Sequence, residues 1–205
     1  MIICIAEHEM GVPTTGTLET VTLARGLAGE LHQSLRAVAF GPGAVGVAGD
    51  LARYGVSTVY VAYTDDDSYA PRAWAHALAD LTRTGPDSGA SAASGEGPDR
   101  PSVIVVAPAS FRGSELSAYV AAMSDAPMAA NVTSVRPGQA AGTLVLTRLR
   151  WAGSLIEDAV LEDGAPAPGS GGASAPGSDG ASAPGSGGAA GTCGLVVLTV
   201  PAGAV

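Results

Sequence analysis

Lysine is missing altogether from these 205 residues, and ten arginines face nineteen aspartates and glutamates, a formal net charge of −9. Without lysine there is no Schiff-base chemistry and no lysine of a phosphate-gripping G-x-x-x-x-G-K-[ST] loop. An acidic surface repels a phosphate backbone, so nucleic acid is excluded as a partner class. Cysteine is also scarce. Cys4 and Cys193 each sit in an apolar run far from the other, and they read as free buried thiols, with a disulfide between adjacent strands as the alternative. Charged residues make up only 14% of the chain, yet no run approaches the roughly 18 to 20 apolar residues that a membrane helix needs, so membrane insertion is not expected. The opening MIICIAEHE has no basic segment and no cleavage pattern, which leads us to expect a cytoplasmic protein. Neither a G-x-S-x-G elbow nor an H-E-x-x-H pair occurs, so nucleophilic catalysis and zinc-hydrolase chemistry have no sequence support.

What is present alternates. Val103 to Ala107, inside the stretch Pro101 to Met123, is a short apolar run with the pattern of a strand covered on both faces. Pro108 is expected to end it, Gly113 with Ser114 to turn the chain and cap a helix, and Leu116, Val120 and Met123 to form that helix's buried face. Ahead of this unit, Met1 to Ala6 reads as a strand. From Thr17 onward Leu18, Val21, Ala24, Leu27, Ala28 and Leu31 keep helical spacing. Leu35 to Phe40 is a second strand, Ala44 to Tyr54 a helix and Val56 to Tyr63 a third strand. Pro71 opens a third helix, with Trp74, Leu78 and Leu81 as its buried stripe. This order predicts an α/β fold: a doubly wound, mainly parallel, Rossmann-like sheet of the adenine-nucleotide-hydrolase type. Val132 to Val135, Thr143 to Arg150 and Ser154 to Leu161 follow without intervening helices, which predicts antiparallel hairpins extending the parallel sheet.

Two segments have nothing to bury. Residues 84–101 are rich in Gly, Ser and Asp and read as a flexible loop insert. Residues 165–191 contain three successive eight-residue copies, APGSGGAS, APGSDGAS and APGSGGAA, and read as a low-complexity insert between the strands of one pair. Each doubling of loop length costs only about 0.6 kcal/mol, so a fold tolerates such an insert. The length and this layout predict one domain over residues 1–205.

Candidate sites are few. Gly41, Gly43 and Gly46 match G-x-G-x-x-G after a strand and before a helix, with Asp65 further on, which is the spacing of a dinucleotide-binding turn. An ordinary glycine-rich loop explains them as well, because glycine is 29 of 205 residues, the motif follows the second strand, and Pro42 removes an amide. Ser110, Arg112 and Ser114 occupy the loop after the central strand, where open α/β sheets bind ligands, and they could hold an anion. Capping and solvation account for the same residues. Glu7, His8 and Glu9 form a strand-end turn, without the spacing of a metal site. No catalytic residue and no metal ligand is assigned.

Several segments in order resemble the N-terminal domain of the electron transfer flavoprotein alpha subunit. They are Ile2 to His8, Thr17 to Ala24, Val105 to Gly113, Arg148 to Gly153 and the closing Gly194 to Pro201. The chain differs at Ala118-Tyr119, where the family carries a Pro-Arg pair, and at Ser154, where it carries Asn. The resemblance implies an electron-carrier subunit, not an enzyme, whose scaffold domain pairs with a beta-like subunit. It also implies that FAD belongs to the family complex and sits mainly in a separate C-terminal domain. The chain ends at Val205, where that domain would begin. We therefore expect that this chain does not bind FAD alone, and that the flavin domain is either a separate chain or missing from a truncated or degenerate member. A stand-alone domain for AMP, ATP or NAD, or a small hydrolase, is the alternative.

Overall fold

A computed structural model describes residues 1–63, 69–84, 103–140, 142–162 and 194–204. The inserts expected at 84–101 and 165–191 lie outside these residues except for Thr84, which ends a helix. Asp65 and Cys193 also lie outside them.

The elements run β1 (Ile2–Ala6), β2 (His8–Glu9), β3 (Val12–Pro13), α1 (Thr15–Leu31), β4 (Leu35–Phe40), a 3-10 turn (Ala44–Gly46), α2 (Val47–Arg53) and β5 (Thr58–Ala62). There follow α3 (Pro71–Thr84), β6 (Val103–Pro108), α4 (Phe111–Met123), β7 (Met128–Ala129), β8 (Val132–Pro137), β9 (Thr143–Arg150), β10 (Leu155–Glu162) and β11 (Leu195–Val200). Six strands form a parallel sheet in the order β5-β4-β1-β6-β11-β7. All residues of β1, β6 and β11 are buried, as a sheet with both faces covered requires.

The two-residue period of a strand divides the core in two. Ile2, Cys4, Ala37, Ala39, Ile104, Val106, Val196 and Leu198 face one side and pack with Val21, Leu27, Val47 and Leu51 of α1 and α2. Ile3, Ile5, Val38, Phe40, Val105 and Val197 face the other and pack with Ala75, Leu78, Leu116 and Val120 of α3 and α4. The α/β doubly wound architecture is therefore as the sequence predicts.

Details differ from the expectation, each for a physical reason. Pro108 is the last residue of β6, opposite Val200 of β11. Its missing N–H does no harm, because the pairing of β6 with β1 ends at Val106 and Ala109 N donates to Val200 O at 2.7 Å. The cap of α4 is Ser110, whose Oγ accepts from Gly113 N at 2.9 Å, so Gly113 and Ser114 lie inside the helix. Met123 is exposed, since it occupies the last turn of α4 beyond the edge of the core. α1 starts earlier than its apolar stripe, because Thr14 caps it by accepting from Thr17 N at 3.2 Å.

The antiparallel hairpins expected after α4 are present, and the structure adds where they pair. β8, β9 and β10 do not extend the parallel sheet but form their own antiparallel sheet in the order β10-β9-β8. Leu144 and Leu146 of β9 and Val132 of β8 are buried in the α1 side of the core. The apolar alternation of β9 thus covers a helix layer, not a sheet edge. β10 and β11 consequently belong to different sheets and are not a strand pair.

Candidate functional site

Leaving β1, the chain builds β4 and then β5 on one side; it then returns to place β6 on the other side of β1. The strand order reverses between β1 and β6, and a crevice opens beyond their carboxyl ends, where open α/β sheets bind ligands. A cleft of about 450 Å³ occupies this place, with Glu7, Phe40, Trp74, Ser110, Phe111 and Arg112 prominent in its wall.

Glu7 is the first residue after β1 and is held on three counts. Its carbonyl oxygen accepts from Thr14 N at 3.0 Å and from Thr17 Oγ1 at 2.7 Å. Its Oε1 accepts a short hydrogen bond from Ser110 Oγ. That bond joins the end of β1 to the cap of α4, so the carboxylate sits at the start of a helix whose unpaired amides attract negative charge. Gly113 leaves the room: a Cβ there would collide with Pro108 O and come within 3.1 Å of Glu7 Oε1. His8 is turned to another task. Its Nδ1 accepts from Gly11 N at 3.3 Å, which leaves Nε2 to donate to Phe40 O at 3.0 Å, and the imidazole ties the turn after β1 to the end of β4.

The aromatic wall is a layered set. Phe40 and Trp74 stack at 5.1 Å with an interplanar angle of 15°, Tyr69 meets Trp74 edge-on at 5.2 Å, and the Arg112 guanidinium lies 5.2 Å above the Tyr69 ring. Tyr69 Oη donates to Glu115 Oε2 at 2.7 Å. Burial first, and then the Glu115 carboxylate, push the Tyr69 hydroxyl up to about 12, so it stays protonated and a donor.

Ser110 and Arg112 therefore meet at the cleft, whereas Ser114 does not line it. The glycines after β4 are elsewhere. Gly43 and Gly46 pack their backbone on the β2–β3 turn, where a Cβ on Gly46 would stand 3.0 Å from Gly11 Cα and one on Gly43 3.1 Å from Gly11 N. Gly41 and Gly43 have positive φ, 87° and 82°. Gly11 was not singled out by the sequence, because the close approach it permits joins segments some thirty residues apart. Phe40, Trp74 and Glu7 were read as core or turn residues. Only their position at strand ends and on one helix face hinted at a common wall.

A family model described as the electron transfer flavoprotein domain matches residues 2–167. The chain belongs to the electron transfer flavoprotein domain family. Comparison with curated proteins found no match. Members of this family are electron carriers associated with flavin, and in the family complex the flavin is a dinucleotide, FAD. Its pyrophosphate needs backbone amides or cations. Gly43 and Gly46 are packed on Gly11, and at the start of α4 Gly113 N donates to Ser110 Oγ, whose hydroxyl donates to Glu7. These backbone groups are engaged within the chain, while the Arg112 guanidinium lines the cleft; among the described residues no group of His, Cys, Asp or Glu could hold a metal ion. No helix among them is long and apolar enough to cross a membrane.

Proposed function

We propose that this electron transfer flavoprotein domain is a single scaffold domain over residues 1–205 that carries no flavin of its own and docks a beta-type subunit through the β9–β10 hairpin. The observation that carries this reading is the outer surface of β10. Ile156 and Val160 are exposed on one face, Leu155 is exposed on the other, and Trp151 is exposed in the turn. β10 is the edge strand of its sheet, and an edge strand with apolar side chains is a template for pairing with another chain. An exposed tryptophan beside it suits the anchor of an interface, where a few aromatic residues carry most of the binding energy. Membership of the electron transfer flavoprotein domain family supports a partner from within that family. FAD then resides in the assembled complex, in a separate flavin-binding domain or on the partner, and the chain contributes a rigid seat and not a redox group.

The test is co-elution of the full chain with a beta-type subunit in size-exclusion chromatography, with flavin absorbance followed in the same run. We expect a stable complex, flavin colour only in the mixture, and loss of the complex for the pair Ile156→Arg and Val160→Arg. A chain that stays monomeric with every beta-type subunit tried, or that carries tightly bound flavin alone, overturns the reading.

A further inference from the structure

Tryptophan and tyrosine give up a single electron more easily than most side chains. At neutral pH a tyrosine does so only if its proton leaves too, because the phenol radical cation is a strong acid. Two rings and one carboxylate at the switch-point cleft meet these conditions together. Trp74 is half-buried in the cleft wall, stacked on Phe40. Tyr69 meets it edge-on with 5.2 Å between ring centroids. The two rings are in contact at that distance, so an electron crosses between them without an intervening group.

The polar group of each ring has a different setting. The Trp74 Nε1–H is shielded from solvent and has no hydrogen-bond partner among the described residues. A Trp74 that has lost an electron therefore keeps its proton. It stays a radical cation, which is a stronger oxidant than the neutral radical, and draws an electron from its neighbour. That neighbour is Tyr69, whose hydroxyl already donates to Glu115 Oε2 at 2.7 Å, an acceptor in place for the phenolic proton. The Arg112 guanidinium, 5.2 Å above the Tyr69 ring, disfavours a positive charge on that ring, and so ties the departure of the electron to that of the proton. Tyr69 is 37% exposed, so the tyrosyl radical forms where a solute can reach it.

We propose that Trp74 and Tyr69 form a relay that carries an oxidising equivalent from the cleft to the surface, with Glu115 as proton acceptor, and that its substrate is a strong one-electron oxidant, the class to which light-excited flavin belongs. The oxidant takes one electron from Trp74. Tyr69 then gives one electron to Trp74 and its proton to Glu115. A soluble one-electron reductant such as ascorbate returns an electron to the Tyr69 radical, and the proton comes back from Glu115. One electron enters and one leaves, and no bond to carbon forms or breaks. The inference concerns this chain by itself and stands whether or not it docks a partner.

Azide radical, made by pulse radiolysis, is the oxidant for the test, applied to the full chain in a Trp151→Phe background that leaves one tryptophan. We expect the absorbance of the tryptophan radical to decay, and that of the tyrosyl radical to grow, in one first-order step whose rate is independent of protein concentration. Tyr69→Phe is expected to abolish the step. Glu115→Gln keeps an acceptor but binds the proton far less well, and is expected to slow the step roughly a hundredfold, the scale of a positioned base. Both changes preserve the size of the side chain, and circular dichroism checks that the fold is native. A step that survives Tyr69→Phe overturns the proposal, because another tyrosine then supplies the electron. A tryptophan radical that persists with Tyr69 and Glu115 intact overturns it equally, as does a Glu115→Gln rate within about threefold of the original.

Discussion

Arg148 Nε donates to Glu157 Oε2 at 2.6 Å across a directly opposed pair of β9 and β10, and Arg150 reaches the same oxygen at 3.4 Å. One carboxylate thus holds two arginines on the inner face of the hairpin that we assign to docking. The Arg148 hydrogen bond holds the Glu157 carboxyl below the usual carboxylate range, with the charges of Arg148 and Arg150 adding to the effect.

A depressed carboxyl contributes stability above its unfolded pKa and loses it as pH falls through the folded value. Glu157→Gln is therefore expected to lower the melting temperature at neutral pH. The difference from the unaltered protein should close as pH falls from about 4.3, the ordinary glutamate value, to below the folded one. Parallel thermal melts from pH 7 downward read this directly. A difference that stays constant through the acid range contradicts the pairing.

Gly113→Ala tests the close approach of α4 to β6. The new Cβ collides with Pro108 O, a backbone atom that cannot swing away. We expect a loss of roughly 1–3 kcal/mol, the range for overpacking, in spite of the gain in helix propensity. Urea titration followed by circular dichroism measures it. A protein as stable as the original shows that α4 shifts freely on the sheet.

Leu78 of α3 is fully buried against the sheet face that carries Phe40 and Val38. Leu78→Ala should cost about 2–5 kcal/mol through lost burial and the cavity left behind. Because α3 also carries Trp74, its emission should shift red in the same variant, read in the Trp151→Phe background.

Cys4 is fully buried in the centre of β1, and burial pushes its thiol up to about 12. In a Cys193→Ser protein we expect no reaction with iodoacetamide under native conditions, and full reaction once the chain is unfolded in guanidinium. Labelling of the native protein within minutes points to local opening of β1, against its place in the core.

The layering was legible because it rests on periodicity. Short, Val-rich apolar runs such as Val103 to Ala107 have the pattern of strands covered on both sides, and the stripe of α1 follows the 3.6-residue helix repeat. Even so, the stripe missed the helix start at Thr14, since a cap is a hydrogen bond and not a hydrophobic signal. Met123 kept the spacing of the stripe but lies where α4 overruns the sheet. Ser110 and Arg112 were legible as site residues from their place after the central strand. Glu7 was not recognised as their neighbour, because its partner lies 103 positions away. Nothing in either segment alone records the bond.

Local order in the amino-acid sequence was enough to determine the alternation of strands and helices, and with it the parallel sheet, because burial on two faces, helical spacing and turn residues each act within a dozen positions. Tertiary structure alone decided that β8 to β10 form a separate sheet against α1, that Gly43 and Gly46 serve packing on Gly11, and that Glu7 stands at the start of α4. Each of those outcomes depends on which distant surfaces meet, and the free energy that selects the meeting belongs to the pair of surfaces and not to either stretch of chain.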